Sequence, residues 1–117
     1  MTPSQMRQEA ARSRSAAAAL DSAAARLRML AASIRDALAG VVSLSRAAWR
    51  GPGAADFEAK VSAADMDLQA QAGVLTGLAD DLAAEAGRLR SEALDLDLEA
   101  ARADAAIAMA APGSGLT

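Results

Sequence analysis

The chain of 117 residues has no cysteine, no histidine and no tyrosine, and its aromatic side chains are those of Trp49 and Phe57. Without Cys and His it has no disulfide, no thiol nucleophile, no imidazole base and none of the usual zinc or haem ligand sets. Because large aromatic side chains supply much of the buried area in most compact domains, the core is expected to consist of Leu, Val, Ile and Ala. The length allows one hydrophobic core and therefore one small domain.

Long apolar runs are missing as well. The longest early uncharged stretch, residues 15–20, is shorter than the hydrophobic segment of a signal peptide. The best interior stretch, residues 37–45, falls far short of the roughly 20 residues that cross a bilayer. We therefore expect neither a cleaved secretory signal nor a stable membrane insertion. The protein is expected to be cytoplasmic before export and, if secreted, to leave by a route that is independent of a signal peptide.

Charge is divided unevenly between the two halves of the chain. Residues 1–50 carry eight Arg against three acidic residues, a net charge of +5, whereas residues 51–117 carry four basic against twelve acidic residues, a net charge of −8. Opposite charges favour antiparallel packing of the two halves and a partner of matching polarity. The arginines of the first half suggest nucleic-acid binding as an alternative, but an acidic chain with almost no stacking aromatics is a poor candidate, so no nucleic-acid partner is expected.

Helix-forming residues dominate the composition, and no strand is expected. Thr2, Pro3 and Gln5 suit the N-cap, N1 and N3 positions of a capping box, which predicts a first helix over about 3–48. The segment 6–19 of this helix has little but alanine to bury and is expected to be less firmly held.

The strongest helix breaker in the interior is the Gly-Pro-Gly sequence of residues 51–53. It predicts a corner over 49–53, with Gly51 in the left-handed conformation that closes the first helix. A second helix is predicted over about 54–108, followed by a flexible tail over 111–117.

Apolar residues recur at helical spacing in both halves. The first helix has Leu20, Ala24, Leu27, Ala31, Ile34, Leu38, Val41 and Leu44 on one stripe. The second has a heptad of Val61, Leu68, Leu75, Leu82, Leu89 and Leu96, with Phe57, Ala64, Leu78, Ala86 and Ala93 at the intervening steps. These stripes predict an all-α fold, an antiparallel helix-turn-helix hairpin over residues 1–110.

Two helices enclose no interior, so the flanks of each stripe would remain in water. The physical expectation is dimerisation, in which two hairpins pair into a four-helix bundle. The residues expected to form the hairpin and partner interface are Leu27, Ile34, Leu38, Val41, Val61, Leu68, Leu75 and Leu82.

The sequence contains little that indicates a catalytic site. Carboxylate pairs such as Asp80 with Asp81 are common on solvated helix surfaces, and no EF-hand glycine accompanies Asp65 or Asp95. The chain is therefore expected not to be an enzyme and to have no catalytic, metal-binding or cofactor-binding residues and no cofactor.

A short motif lies at the predicted corner. Trp49, Arg50 and Gly51 stand midway along the chain, and Phe57 follows in the first turns of the second helix. In this context the sequence resembles, over most of its length, the WXG family, the Esx-like small substrates and partners of type VII secretion systems. Trp49 and Gly51 match the family's W and G, and the stretch W-R-G-P-G-A-A-D-F resembles the family's corner and second-helix start.

The resemblance implies a helical hairpin that pairs as a homo- or heterodimer, is exported folded without a cleaved signal, and often travels with or chaperones a partner. The implied partners are a second WXG-like protein, a secreted toxin or other cargo, or a second copy of the chain, together with the type VII secretion machinery.

One feature departs from the family. Many members, or one member of each pair, carry a Tyr-x-x-x-Asp/Glu export signal after the second helix, and this chain has no tyrosine. Either a partner supplies the signal, or the protein is a divergent or non-exported relative. The alternative function is a non-secreted homodimeric coiled-coil scaffold or adaptor.

Overall fold

The computed structural model describes residues 1–48 and 51–110, without the side chains of 45–48. Two helices account for nearly all of these residues: α1, Pro3–Ala48, and α2, Ala54–Ala110. No strand occurs in the described ranges. The helices pack against each other in antiparallel directions. The ion pair between Arg7, near the start of α1, and Asp104, near the end of α2, shows this arrangement. The expected all-α helical hairpin is confirmed.

The chain divides into two compact units. Unit 1 combines Met1–Ser22 with the part of α2 that begins at Leu82. Unit 2 is Ala23–Asp81 and contains the corner. In each unit, a segment of α1 lies against a segment of α2.

The centre of the helix–helix contact consists of alanine. Nine alanines have 0–1% of their surface exposed and recur every seven residues on each helix. We call them the alanine seam. In unit 1 they are Ala10, Ala17, Ala86, Ala93 and Ala100, and in unit 2 they are Ala24, Ala31, Ala72 and Ala79. The methyl side chain of alanine lets two helix backbones approach closely, since interaxial distance depends on the side chains at the contact.

The larger apolar residues of the predicted stripes are half-buried beside the seam. This group contains Leu20, Leu27, Ile34 and Leu38 on α1, and Val61, Leu68, Leu75, Leu82, Leu89 and Leu96 on α2. No Leu, Val or Ile among the described residues is fully buried. The expected core of Leu, Val, Ile and Ala is therefore confirmed for alanine and wrong for the three larger residues, because closely packed helices leave room only for small side chains between them.

Five members of the predicted stripes are exposed: Val41 and Leu44 on α1, and Phe57, Ala64 and Leu78 on α2. The stripes therefore follow one flank of the helix contact more closely than its centre. They also omit Ala10, Ala17, Ala72, Ala79 and Ala100, which are fully buried.

The first helix begins as expected. The N–H of Gln5 donates to the Thr2 hydroxyl oxygen at 3.1 Å, and the N–H of Thr2 donates to Oε1 of Gln5 at 2.8 Å. This reciprocal pair is a capping box. The following segment, expected to be less firmly held, is helical throughout and contributes Ala10, Ser13 and Ala17 to the buried set. It can pack because the seam requires small residues rather than large ones.

The corner differs from expectation in which glycine is left-handed. Gly53 has a φ of +83°, and no other described residue has a positive φ, so the prediction for Gly51 is wrong. The N–H of Ala54 donates to the carbonyl of Gly51 at 3.0 Å. Pro52 and Gly53 thus occupy the two central positions typical of a type II turn, which requires a positive φ at the second of them. The Gly53 carbonyl then accepts the bond from the N–H of Phe57 at 3.0 Å that opens α2.

Replacing Gly53 with alanine is expected to lower the free energy of unfolding by about 1 kcal/mol, because an L side chain disfavours a positive φ. Gly51→Ala is the matched control, since no atom lies within 4 Å of the added Cβ and its φ is not positive. Urea unfolding followed by circular dichroism measures both. Equal effects of the two substitutions would contradict the assignment of the turn.

Enlarging a seam residue should separate the helices. Ala86→Leu, at a fully buried position, is expected to lower the free energy of unfolding by about 1–3 kcal/mol through overpacking. Ala84→Leu, at an exposed position two residues earlier, should change it by less than about 0.5 kcal/mol. Thermal and urea unfolding compare the two variants. A stabilised Ala86→Leu protein would show that the seam has unfilled space.

Candidate protein-binding surface

Unit 2 carries large apolar side chains on one flank of its helix contact. On α1, residues 30, 34, 41 and 44 follow steps of three, four and seven residues, which places them on one face of the helix. On α2, residues 57, 61, 68, 75 and 78 do the same. We call this set the apolar face. It consists of Leu30, Ile34, Val41 and Leu44 with Phe57, Val61, Leu68, Leu75 and Leu78.

Five of these side chains are substantially exposed. Leu30, Val41 and Leu44 on α1 and Phe57 and Leu78 on α2 have 43–69% of their surface in solvent. The remaining members are half-buried against the neighbouring helix. Single exposed leucines are ordinary, but a contiguous group of this kind is typical of a surface that binds another protein.

An ion pair crosses the opposite flank of unit 2. Nη2 of Arg28 lies 2.9 Å from Oδ1 of Asp80, and this ion pair joins α1 to α2. Leu30 and Leu78 each lie two residues from a member of the pair. Residues two apart on a helix point about 200° away from each other. Both leucines therefore lie on the flank away from the ion pair, which leaves that flank apolar and open.

In unit 1, ion pairs connect the helices at regular intervals. Arg7 pairs with Asp104, Arg14 with Asp97, and Asp21 with Arg90. We call these three pairs the ion-pair ladder. Successive pairs are seven residues apart on each helix, the same repeat as the seam. Because their side chains are about 34–51% exposed, each pair contributes only about 0.2–1 kcal/mol to stability.

Unit 1 also carries a shallow acidic groove. It is lined by Glu9 and Ser13 of α1 and by Glu92, Asp95, Leu96 and Glu99 of α2. Close by on α2, Arg88 bonds to Glu85 and Glu92, one turn away on either side. The hydrogen bond from the Arg88 guanidinium lowers the pKa of Glu85, and the same pairing raises the pKa of Arg88. This flank of unit 1 is therefore polar and ionised, in contrast to the apolar face of unit 2.

The residues predicted for the interface occupy two kinds of position. Leu27, Ile34, Leu38, Val61, Leu68, Leu75 and Leu82 are half-buried beside the seam, and Val41 is exposed. Of the corner residues, Gly51 is exposed in the turn and Phe57 lies in the first turn of α2, 43% exposed. Trp49 lies outside the described residues. Leu30 belongs to the apolar face but was absent from the predicted interface, although it lies four residues before Ile34.

No group of three or more Asp or Glu side chains among the described residues is arranged to hold a metal ion. None of the described helical segments is long and apolar enough to cross a bilayer.

Comparison with protein-family models, with curated proteins and with solved structures finds no match for this chain.

Proposed function

We propose that the protein is a binding module whose apolar face in unit 2 packs against a second helical hairpin and thereby completes a four-helix bundle. The observation that supports this proposal most directly is the solvent exposure of the apolar face. Leu30, Val41, Leu44 and Leu78 keep 46–69% of their surface in solvent, because the centre of the helix contact is occupied by alanine and these side chains lie on its flank. Two additional helices would cover them, as in other bundles of this architecture.

We further propose that this pairing serves type VII secretion, with the protein acting as a small substrate or as the partner or chaperone of an exported cargo. The support is the Trp49–Gly51 motif, which directly precedes α2 in a two-helix chain, as in the WXG family. The chain has no tyrosine and therefore no Tyr-x-x-x-Asp/Glu export signal, which is consistent with this function if the partner carries the signal. The protein would then be cytoplasmic before export and would leave as half of a folded pair.

A non-secreted homodimeric scaffold is the second candidate, and one observation favours it. The α1 half of the chain is basic and the α2 half acidic, so a second copy can place each helix beside one of opposite charge.

Deleting the secretion ATPase of the host separates the two functions. It should retain the protein inside the cell if the protein is a secretion substrate, and have no effect on a scaffold.

Charges introduced into the apolar face should weaken partner binding. Leu30→Glu combined with Leu78→Glu is expected to reduce affinity at least about tenfold, because each substitution buries a carboxylate in the interface. Met29→Glu with Met66→Glu is the matched control, since both methionines are more than 70% exposed and lie outside the apolar face. Partner retention is measured by co-purification from the host and helicity by circular dichroism. Undiminished binding by the first variant, with native helicity, would remove the apolar face as the interface.

The corner motif should matter for export rather than folding. Trp49→Ala is expected to reduce the amount of protein found outside the cell while leaving helicity nearly unchanged, if the motif is read by the secretion machinery. Quantitative immunoblots of the medium and the cell fraction measure export. Val74→Ala, which removes an exposed apolar side chain from α2, is the control. Wild-type export of Trp49→Ala would exclude a role for this residue in secretion.

A further inference from the structure

The alanine seam of unit 1 fits more than one alignment of its helices. Seam residues recur every seven positions on both helices, as do the half-buried Leu82, Leu89 and Leu96 of α2. If α1 slid by seven residues along α2, alanine would again face alanine and leucine would again flank it. Packing alone therefore distinguishes the observed register only weakly from a register one heptad away.

The ion-pair ladder, in contrast, differs strongly between these registers. Two of its pairs place Arg on α1 and Asp on α2, but the third has Asp21 on α1 and Arg90 on α2. A slip in one direction sets Arg14 opposite Arg90. A slip in the other direction sets Asp21 opposite Asp97. Each slipped register thus keeps one attractive pair and creates one repulsive pair, whereas all three native pairs are attractive.

We propose that the reversed pair, Asp21 with Arg90, specifies the register of the two helices in unit 1. If all three pairs had the same polarity, a slip of one heptad would retain two attractive pairs and create no repulsion. Reversing one pair penalises the slip in both directions. The half-exposed ion pairs add little to stability, but their effects on the choice between two similarly packed registers accumulate.

The turn at the corner does not by itself fix the register of the two helices in unit 1. The Gly53 turn fixes where α2 begins, whereas both segments of unit 1 are separated from it in sequence by the helical parts of unit 2. A change of seven residues would require only one or two turns of helix to unwind next to the corner. The ladder acts directly on the segments whose register it specifies.

Disulfide trapping tests the proposal, because the chain has no cysteine of its own. Ser13 and Leu96 line the same groove, so Ser13→Cys with Leu96→Cys reports the observed register. Ser13→Cys with Leu89→Cys, displaced by seven residues, reports the slipped register in which Arg14 lies opposite Arg90. Each cysteine pair is placed in the full-length chain with native charges and with Asp21→Arg/Arg90→Asp, which makes the ladder uniform. Dilute samples are analysed at monomer mass so that only intrachain disulfides are counted.

We expect the native-register disulfide in both charge backgrounds. The slipped disulfide, measured relative to it, should increase about fivefold or more in the uniform ladder. Arg14→Asp/Asp97→Arg is the matched control. It also exchanges one pair, but it leaves one attractive and one repulsive contact in each slipped register, so it should give the low wild-type level.

Two results would overturn the proposal. An equally low yield of slipped disulfide in all three backgrounds would mean that the corner or the packing sets the register without the ladder. An equal increase in both exchanged variants would mean that any charge exchange loosens the helices, with no special role for the reversed pair. The ratio to the native-register disulfide in the same background corrects for differences in overall stability.

Discussion

The close contact between alanine side chains is the constraint on which the rest of this structure depends. Nine alanines at heptad spacing are fully buried between α1 and α2, and among the described residues Ser13 is the one other buried side chain. A methyl group buries little apolar area, so each layer of the seam contributes modestly to stability. Its main effect is geometric, because it allows two helices to pack too closely for leucine or isoleucine to fit between them.

The same geometry explains where the proposed binding surface lies. Large apolar residues cannot enter the seam, so they lie along its flanks and remain half-buried or exposed. In unit 2 one flank carries the Arg28–Asp80 ion pair, whereas the other carries the apolar face. In unit 1 the corresponding residues include glutamates around a shallow groove. The hairpin thus offers one surface suited to burial and keeps other surfaces charged, which favours a defined partner over general aggregation.

The sequence predicted the helices well because the signals for them are local. The capping box at Thr2 and the helix break at Gly51–Gly53 both involve residues close together in the chain. The choice of the left-handed glycine was wrong, because a breaker of two glycines around a proline is compatible with more than one turn. The hydrogen bond from Ala54 to Gly51 distinguishes them.

The centre of the helix contact was harder to predict because periodicity identifies a stripe without showing how closely its helices pack. The stripe through Phe57, Ala64 and Leu78 follows real apolar residues, but these lie on the flank. The buried positions, such as Ala72 and Ala79, are alanines in a chain where exposed alanines outnumber the buried ones among the described residues. The sequence does not predict a particular partner for the proposed interface, because a surface of leucine and valine specifies apolar character and not a particular protein.

The most direct test of the account is the native mass of the wild-type protein purified intact from its own host and measured at micromolar concentration. A hairpin with an uncovered apolar face should be found in an assembly of two hairpins. Its mass would then be about twice 11.8 kDa for a pair of copies, or that of one chain with a second polypeptide in equal amount. A single chain of 11.8 kDa with no associated polypeptide would contradict the claim that the apolar face is a binding surface.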